Sequence, residues 1–354
     1  MKEFRHIMMI FALVALAAGC SKVEVVNTPE REISFTVGSY APATKAVAVT
    51  EFTSFKSKGY LYAEGVTGAQ DFFGAAGETI TFNGTDTWAP SHPYYWPKGE
   101  SSYINFVSWY DNLGAPTTAT ETALEWVGRT IEANDNIMFA DVAWHYNGNA
   151  STYRFNNVAN GVPTLFHHAL SRVQINLRST VATQDNKTYE VSIQSAVLEG
   201  VYRRGNMRLT NTELSTTGTS AWVSNNATYL WSTSSGSNAD SYTLVTDTDI
   251  TTTNTAIMPL RSFLPQALGG GIKLTLTYTV TTKSGGNIVS SEDGIVSSVI
   301  LNSVKNSSNV EITQWLPNRK YIYNFAINPI GQDILLNPTI ESDWGFNDLS
   351  VTVE

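Results

Sequence analysis

No segment of this chain sustains a helical hydrophobic period over three turns, whereas alternation of apolar and polar residues recurs along its length. With Thr, Ser, Val, Tyr, Phe and Trp crowding the same stretches, that contrast leaves an all-β protein. The run Lys273-Leu274-Thr275-Leu276-Thr277-Tyr278-Thr279-Val280 is among the clearest strands, fed by the flexible turn Gly269-Gly270-Gly271. Near the other end, Ile33, Phe35 and Val37 alternate with Ser34, Thr36 and Gly38. Residues 103–110 place apolar side chains on both sides and predict a strand covered on both faces. Further strands are expected over 52–61, 78–82, 137–141, 173–177, 189–200, 256–263 and 321–327, with Asn83-Gly84 as a tight turn. Residues 113–129 read as a long loop with a short helix near 121–127. Residues 167–171 read as a helical turn or an extended entry to the next strand, and 214–241 and 246–255 as loops or an insertion.

The chain opens with Lys2 and Arg5, then an apolar run, then Leu16-Ala17-Ala18-Gly19-Cys20, which together describe a secretory signal. Cys20 is the one cysteine among 354 residues and stands where lipoprotein processing leaves a new N-terminus. The expectation is a lipoprotein signal over 1–20 and a polar tether over 21–32, with outer-membrane lipid attached through Cys20. No internal disulfide can then form, so stability rests on burial, hydrogen bonding and sheet pairing. A net charge of -9 and a pI near 5.1 argue against a nucleic-acid partner. The length suffices for two cores, and a boundary placed near Val162 gives domains of 33–162 and 163–354.

The strand through Ile33, Phe35 and Val37 is followed by Pro42 and then by Lys45, a basic residue among small ones that a trypsin-like protease can enter. A cut at Lys45 lets the strand leave, and its groove must then be filled by something else. At the far end, Leu349, Val351 and Val353 alternate with polar residues, a pattern that can add to a sheet edge or pair at home.

Motifs for catalysis are missing: there is no HExxH, no GxSxG and no phosphate-binding glycine motif. His167 and His168 are read as capping or lining a domain junction, and Glu132, Asp135 and Asp141 as loop charge. Thr246-Asp247-Thr248-Asp249 lacks the Gly and terminal Glu of a calcium loop. The expectation is a non-enzyme without cofactor or metal.

In order along the chain stand Cys20, the strand through Phe35 and Val37, Ala43-Thr44-Lys45-Ala46, residues 88–97, and Phe166-His167-His168-Ala169-Leu170-Ser171-Arg172-Val173. Leu264-Pro265-Gln266 and Trp315-Leu316-Pro317-Asn318-Arg319-Lys320-Tyr321-Ile322-Tyr323 follow. This series resembles the fimbrillin-like family, the pilins and tip subunits of type V pili. The resemblance implies two transthyretin-like β-sandwich domains in tandem, exported to the cell surface as a lipoprotein. It implies a maturation protease cutting after a basic residue beyond the first strand, here between Lys45 and Ala46, where the family often has Arg. Arg31 is the poorer site because a cut there spares the strand. The resemblance further implies a removable strand at Ile33, Phe35 and Val37, and a donor strand at Leu349, Val351 and Val353 reaching another pilus subunit. Stalk and tip positions both stay open. The competing reading is a surface glycan-binding lipoprotein that does not polymerise, its stacking platforms drawn from nine Trp and sixteen Tyr.

Overall fold

The computed structural model describes residues 32–39, 52–85, 87–98, 101–147, 161–210, 228–233, 240–269, 271–305, 311–331 and 334–336. The first strands are β1 (Phe35–Ser39), β2 (Ser54–Tyr62), β3 (Gln70–Asp71), β4 (Glu78–Phe82), β5 (Trp88–Pro90) and β6 (Tyr103–Asp111). Next come β7 (Thr118–Ala119), β8 (Ala123–Thr130), β9 (Ile137–Ala140), β10 (Ala143–Tyr146), β11 (Val162–His168) and β12 (Ser171–Ser179). They continue as β13 (Thr183–Gln184), β14 (Lys187–Val201), β15 (Arg204–Thr210), β16 (Thr228–Thr233), β17 (Asp240–Val245) and β18 (Thr248–Ile250). The last are β19 (Thr255–Phe263), β20 (Gln266–Ala267), β21 (Lys273–Ser284), β22 (Asn287–Ile300), β23 (Gln314–Trp315), β24 (Arg319–Ile327) and β25 (Ile334–Leu336). Among the described residues one 3-10 turn, Leu301–Ser303, is the sole helical element, and the fold is all-β.

In the N-terminal sheet the order is β10-β6-β9-β11-β1-β5-β4-β2-β3, and β2 pairs with β6 as well. The strands β6, β9, β11, β1, β5, β4 and β2 therefore close into a ring with no free edge between them. Inside it lies a core built from Ile33, Phe35, Val37, Phe55, Trp88, Phe106 and Phe166 among others. β6 is buried on both faces from Ile104 to Trp109, as its sequence predicts.

Further along the chain, β19-β12-β24-β25 form one sheet, and β13-β14-β21-β22, with β17 and β18 on β14, form another. Their facing side chains make a second core: Val173, Ile175 and Leu177 of β12, Tyr321, Tyr323 and Phe325 of β24, and Leu274, Leu276, Tyr278 and Val280 of β21. A third sheet, β16-β15-β8-β7, is shared between the two parts of the chain, because β8 pairs with β15 from Arg204↔Thr130 to Thr210↔Ala123. It covers a cluster drawn from both parts, including Val107, Trp109, Trp126, Phe139, Leu170, Met207 and Leu264.

Three sequence expectations change here. The short helix near 121–127 is instead the hairpin of β7 and β8, in which Leu124 and Trp126 alternate inward against Glu125 and Val127. Residues 167–171 are extended: β11 runs to His168, the chain bends at Ala169-Leu170, and β12 starts at Ser171. Of the unassigned stretches, residues 228–233, 240–245 and 248–250 are strands. The boundary placed near Val162 falls at the start of β11, which pairs with β1 and β9.

Candidate functional site

The strand that the sequence marks as removable is held by very different contacts on its two sides. With β11 it makes a parallel ladder of five residue pairs, Phe35↔Val162 through Ser39↔Phe166. With β5 it makes one pair, Phe35↔Trp88, extended by Ile33 N–H donating to Tyr94 O at 2.7 Å and by a bridge between Glu32 and Tyr95. Neither neighbour is consecutive with β1 in the chain, so β1 joins the rest of the ring covalently only through the segment after Ser39 that contains Lys45.

Side-chain burial follows the alternation. Ile33, Phe35 and Val37 are 2%, 2% and 4% exposed. The Phe35 ring meets Phe106 edge-on at 5.3 Å and Phe55 at 5.8 Å between centroids. Burying three such side chains stabilises the seated strand by roughly 5 to 9 kcal/mol in transfer terms, an upper figure because the unfolded chain already hides part of this surface. Withdrawing β1 opens the ring, uncovers Phe55, Phe106 and Phe166, and leaves backbone edges on β5 and β11 without partners.

Gly161, which the sequence reading did not single out, fits against this strand. Its φ is +86°, and a Cβ there would lie 2.8 Å from the Phe35 carbonyl carbon and 3.0 Å from the Ser34 carbonyl carbon. Glycine is the residue that permits both this backbone conformation and this approach. The neighbouring amide of Val162 donates to Ser34 O at 2.7 Å. Asn160-Gly161, a turn-forming pair just ahead of an apolar strand, is the sequence signal that marks the position.

The other expected site residues divide into two groups. Cys20, Lys45, Ala46, Leu349, Val351 and Val353 lie outside the described residues. His167 and His168 are described: His167 Nε2 lies 3.2 Å from Asp141 Oδ1, and His168 Nδ1 lies 3.0 Å from Asn136 Oδ1. The His168 backbone N–H also reaches Asn318 Oδ1 at 3.4 Å, so this side of the bend ties β11 to both parts of the chain. Burial pushes the His168 ring down to about 3, with Arg172 and His167 adding to the effect.

The three acidic residues do not converge. Glu132 pairs with Arg203, Asp135 accepts the Glu132 amide, and Asp141 faces His167. Thr246 and Asp247 form the turn between β17 and β18. Among the described residues no group of three or more His, Cys, Asp or Glu is placed to hold a metal ion. The six tryptophans whose side chains are described, at 88, 96, 109, 126, 144 and 315, are each no more than 8% exposed.

A model of fimbrillin-like proteins matches residues 44–344, most of the chain. The chain belongs to the fimbrillin-like family. This fimbrillin-like protein shares its fold with a fimbrial protein from Bacteroides vulgatus ATCC 8482, at 15% identity and a TM-score of 0.50, over 88% of this chain and 99% of that one. A fimbrilin from Porphyromonas gingivalis W83 is similar at 12% identity and a TM-score of 0.35, over 88% and 91% of the two chains. No curated protein matches the fimbrillin-like chain. Membership makes a fimbrial subunit at the cell surface, in a structural rather than catalytic family, the coarse role of this protein.

Proposed function

We propose that this fimbrillin-like protein is a type V pilus subunit, exported as a lipoprotein through Cys20, cut between Lys45 and Ala46, and polymerised by exchange of its first strand. In this reading β1 leaves after the cut, and the segment carrying Leu349, Val351 and Val353 of a neighbouring subunit takes its place, the two lobes divided near Val162 acting as acceptor and donor.

The observation that carries the reading is the position of β1. It closes the ring, buries Ile33, Phe35 and Val37, and is tied to its sheet neighbours by non-covalent contacts alone. One cut in the segment after Ser39 therefore frees it from everything except pairing and packing. An open ring with exposed aromatic rings is unstable in water, which drives capture of a replacement strand. The glycan-binding reading draws no support from the described tryptophans, whose burial leaves no stacking platform among them.

Mass spectrometry of subunits from sheared surface fibres tests the proposal. Subunits beginning at Ala46 are expected; subunits in intact fibres beginning at Cys20, with residues 33–39 retained, overturn it.

A further inference from the structure

β22 ends its sheet, paired among the described residues with β21 alone. At 14 residues it is a long edge, and long edges invite pairing unless something blocks them. A block is present in its first part. The register shifts between Tyr278↔Ile295 and Val280↔Glu292, so Asp293 and Gly294 form a bulge, with Gly294 at φ +70°. The Asp293 carboxylate accepts a hydrogen bond from Thr279 Oγ1 at 2.5 Å and another from Gln194 Nε2, pinning the bulge across three strands.

Beyond the bulge the block ends. Ile295-Val296-Ser297-Ser298-Val299-Ile300 carries no charge, no Pro and no Gly, in a chain whose net charge is -9. Such six-residue segments are the ones that pair edge to edge. Val299 faces the core at 7% exposure, whereas Val296 and Ile300, on the outer face with Ser298, are 64% and 42% exposed. The segment also reads the same in both directions, which makes it complementary to an antiparallel copy of itself.

We propose that residues 295–300 form an edge-to-edge contact with the same residues of a second copy of this chain, antiparallel about a two-fold axis at Ser298. In that register Val296 of each copy stands opposite Ile300 of the other, Ser298 stands opposite Ser298, and the outer faces of both sheets stay on one side. The two most exposed apolar side chains of the segment cover each other. Charge selects this register over the alternative that brings Ile288, 65% exposed, opposite Val296, because that shift sets Glu292 against Glu292. The bulge at Asp293-Gly294 ends the ladder on one side and the 3-10 turn Leu301–Ser303 ends it on the other. A contact this short is weak in solution and gains from the high local density of copies at a surface. It uses no part of β1 or its groove, so it stands or falls separately from strand exchange.

Cross-linking of the full chain tests the contact. In an antiparallel pair, facing Cα atoms lie about 4.5 to 5.5 Å apart, within the range a disulfide spans. Ser298→Cys under mild oxidation is expected to give a covalent homodimer well above the parent chain, whose one cysteine is Cys20. Adding Val296→Lys, which puts a charge on the edge without touching the core, is expected to lower the yield at least tenfold with the far-UV circular dichroism unchanged. The proposal is overturned if Ser298→Cys links no better than Ser290→Cys, an exposed serine of the same strand outside the register. It is equally overturned if Val296→Lys leaves the yield as it was.

Discussion

Gly161 presses its α-carbon against the backbone of Phe35, so closely that a Cβ would stand 2.8 Å from the Phe35 carbonyl carbon. Alanine at this position meets two penalties, a φ of +86° and a backbone that cannot yield like a flexible side chain. Gly161→Ala is expected to cost about 2 kcal/mol or more and to loosen β1 before the rest of the ring. Denaturant midpoints report the loss, and hydrogen exchange at the Val162 amide, bonded to Ser34 O, reports where it falls. Unchanged protection at Val162 in a destabilised variant would place the strain elsewhere.

Phe35 is the anchor of the removable strand, and its ring contacts with Phe55 and Phe106 are made nowhere else by β1. Phe35→Ala leaves a cavity between those rings and is expected to cost about 3 to 5 kcal/mol in the uncut protein. If strand exchange replaces β1, the same substitution has no such effect on the stability of subunits inside assembled fibres, since the altered residue has departed. Comparing the melting of free subunits with that of fibre-bound ones measures both sides of the expectation.

Strand identity was legible wherever one face is buried: β1, β6, β21 and β24 all show the alternation that their burial demands. β22 went unread because nearly all of it is exposed, so no core imposes a period on Asn287 through Val296. β8 was read as a helix in a loop because two inward residues, Leu124 and Trp126, are too few to separate the two periods amid Ala, Thr and Glu. The removable strand itself was visible, but its neighbours were not. Pairing between residues 35–39 and 162–166 is a long-range parallel contact that no local pattern encodes. Gly161 was missed for the same reason, since its role depends on a strand over a hundred positions away.

His168 gives the bend between β11 and β12 a pH dependence. Its ring is buried and held neutral, with its value pushed down to about 3 from an unfolded value near 6.5. The unfolded chain therefore binds a proton in this window that the folded chain refuses. The stabilising contribution is present in full above about 6.5 and is lost progressively as pH falls toward 3. His168→Gln, which keeps a polar group facing Asn136, is expected to flatten this part of the stability profile by one proton. Denaturant midpoints of both proteins between pH 7 and pH 4 give the difference, and parallel profiles would sink the assignment.

Asp111 fastens the end of β6 to the hairpin of β7 and β8. Its buried carboxylate accepts from Trp126 Nε1, Arg129 Nη2 and the Leu113 amide, each at 2.7 Å. Burial raises its carboxyl above the usual range, against the Leu113 hydrogen bond, the Arg129 charge and the Trp126 hydrogen bond, which pull it down. A raised value means that the folded protein holds the proton more tightly than the unfolded one, so this group contributes less stability as pH rises through its folded value. Two substitutions separate shape from charge. Asp111→Ala strands a fully buried indole N–H and a mostly buried guanidinium, and is expected to cost about 3 kcal/mol or more. Asp111→Asn keeps an acceptor for Trp126 and removes the charge whose burial is costly, so its loss is expected to be less than half as large. The asparagine variant is also expected to lose less stability on going from pH 5 to pH 8 than the parent does. Because Trp126 faces the cluster shared with β15, its fluorescence during unfolding reports whether this joint opens with the whole fold or ahead of it. An alanine variant as stable as the asparagine one would show that the hydrogen bonds at Asp111 do not hold the joint.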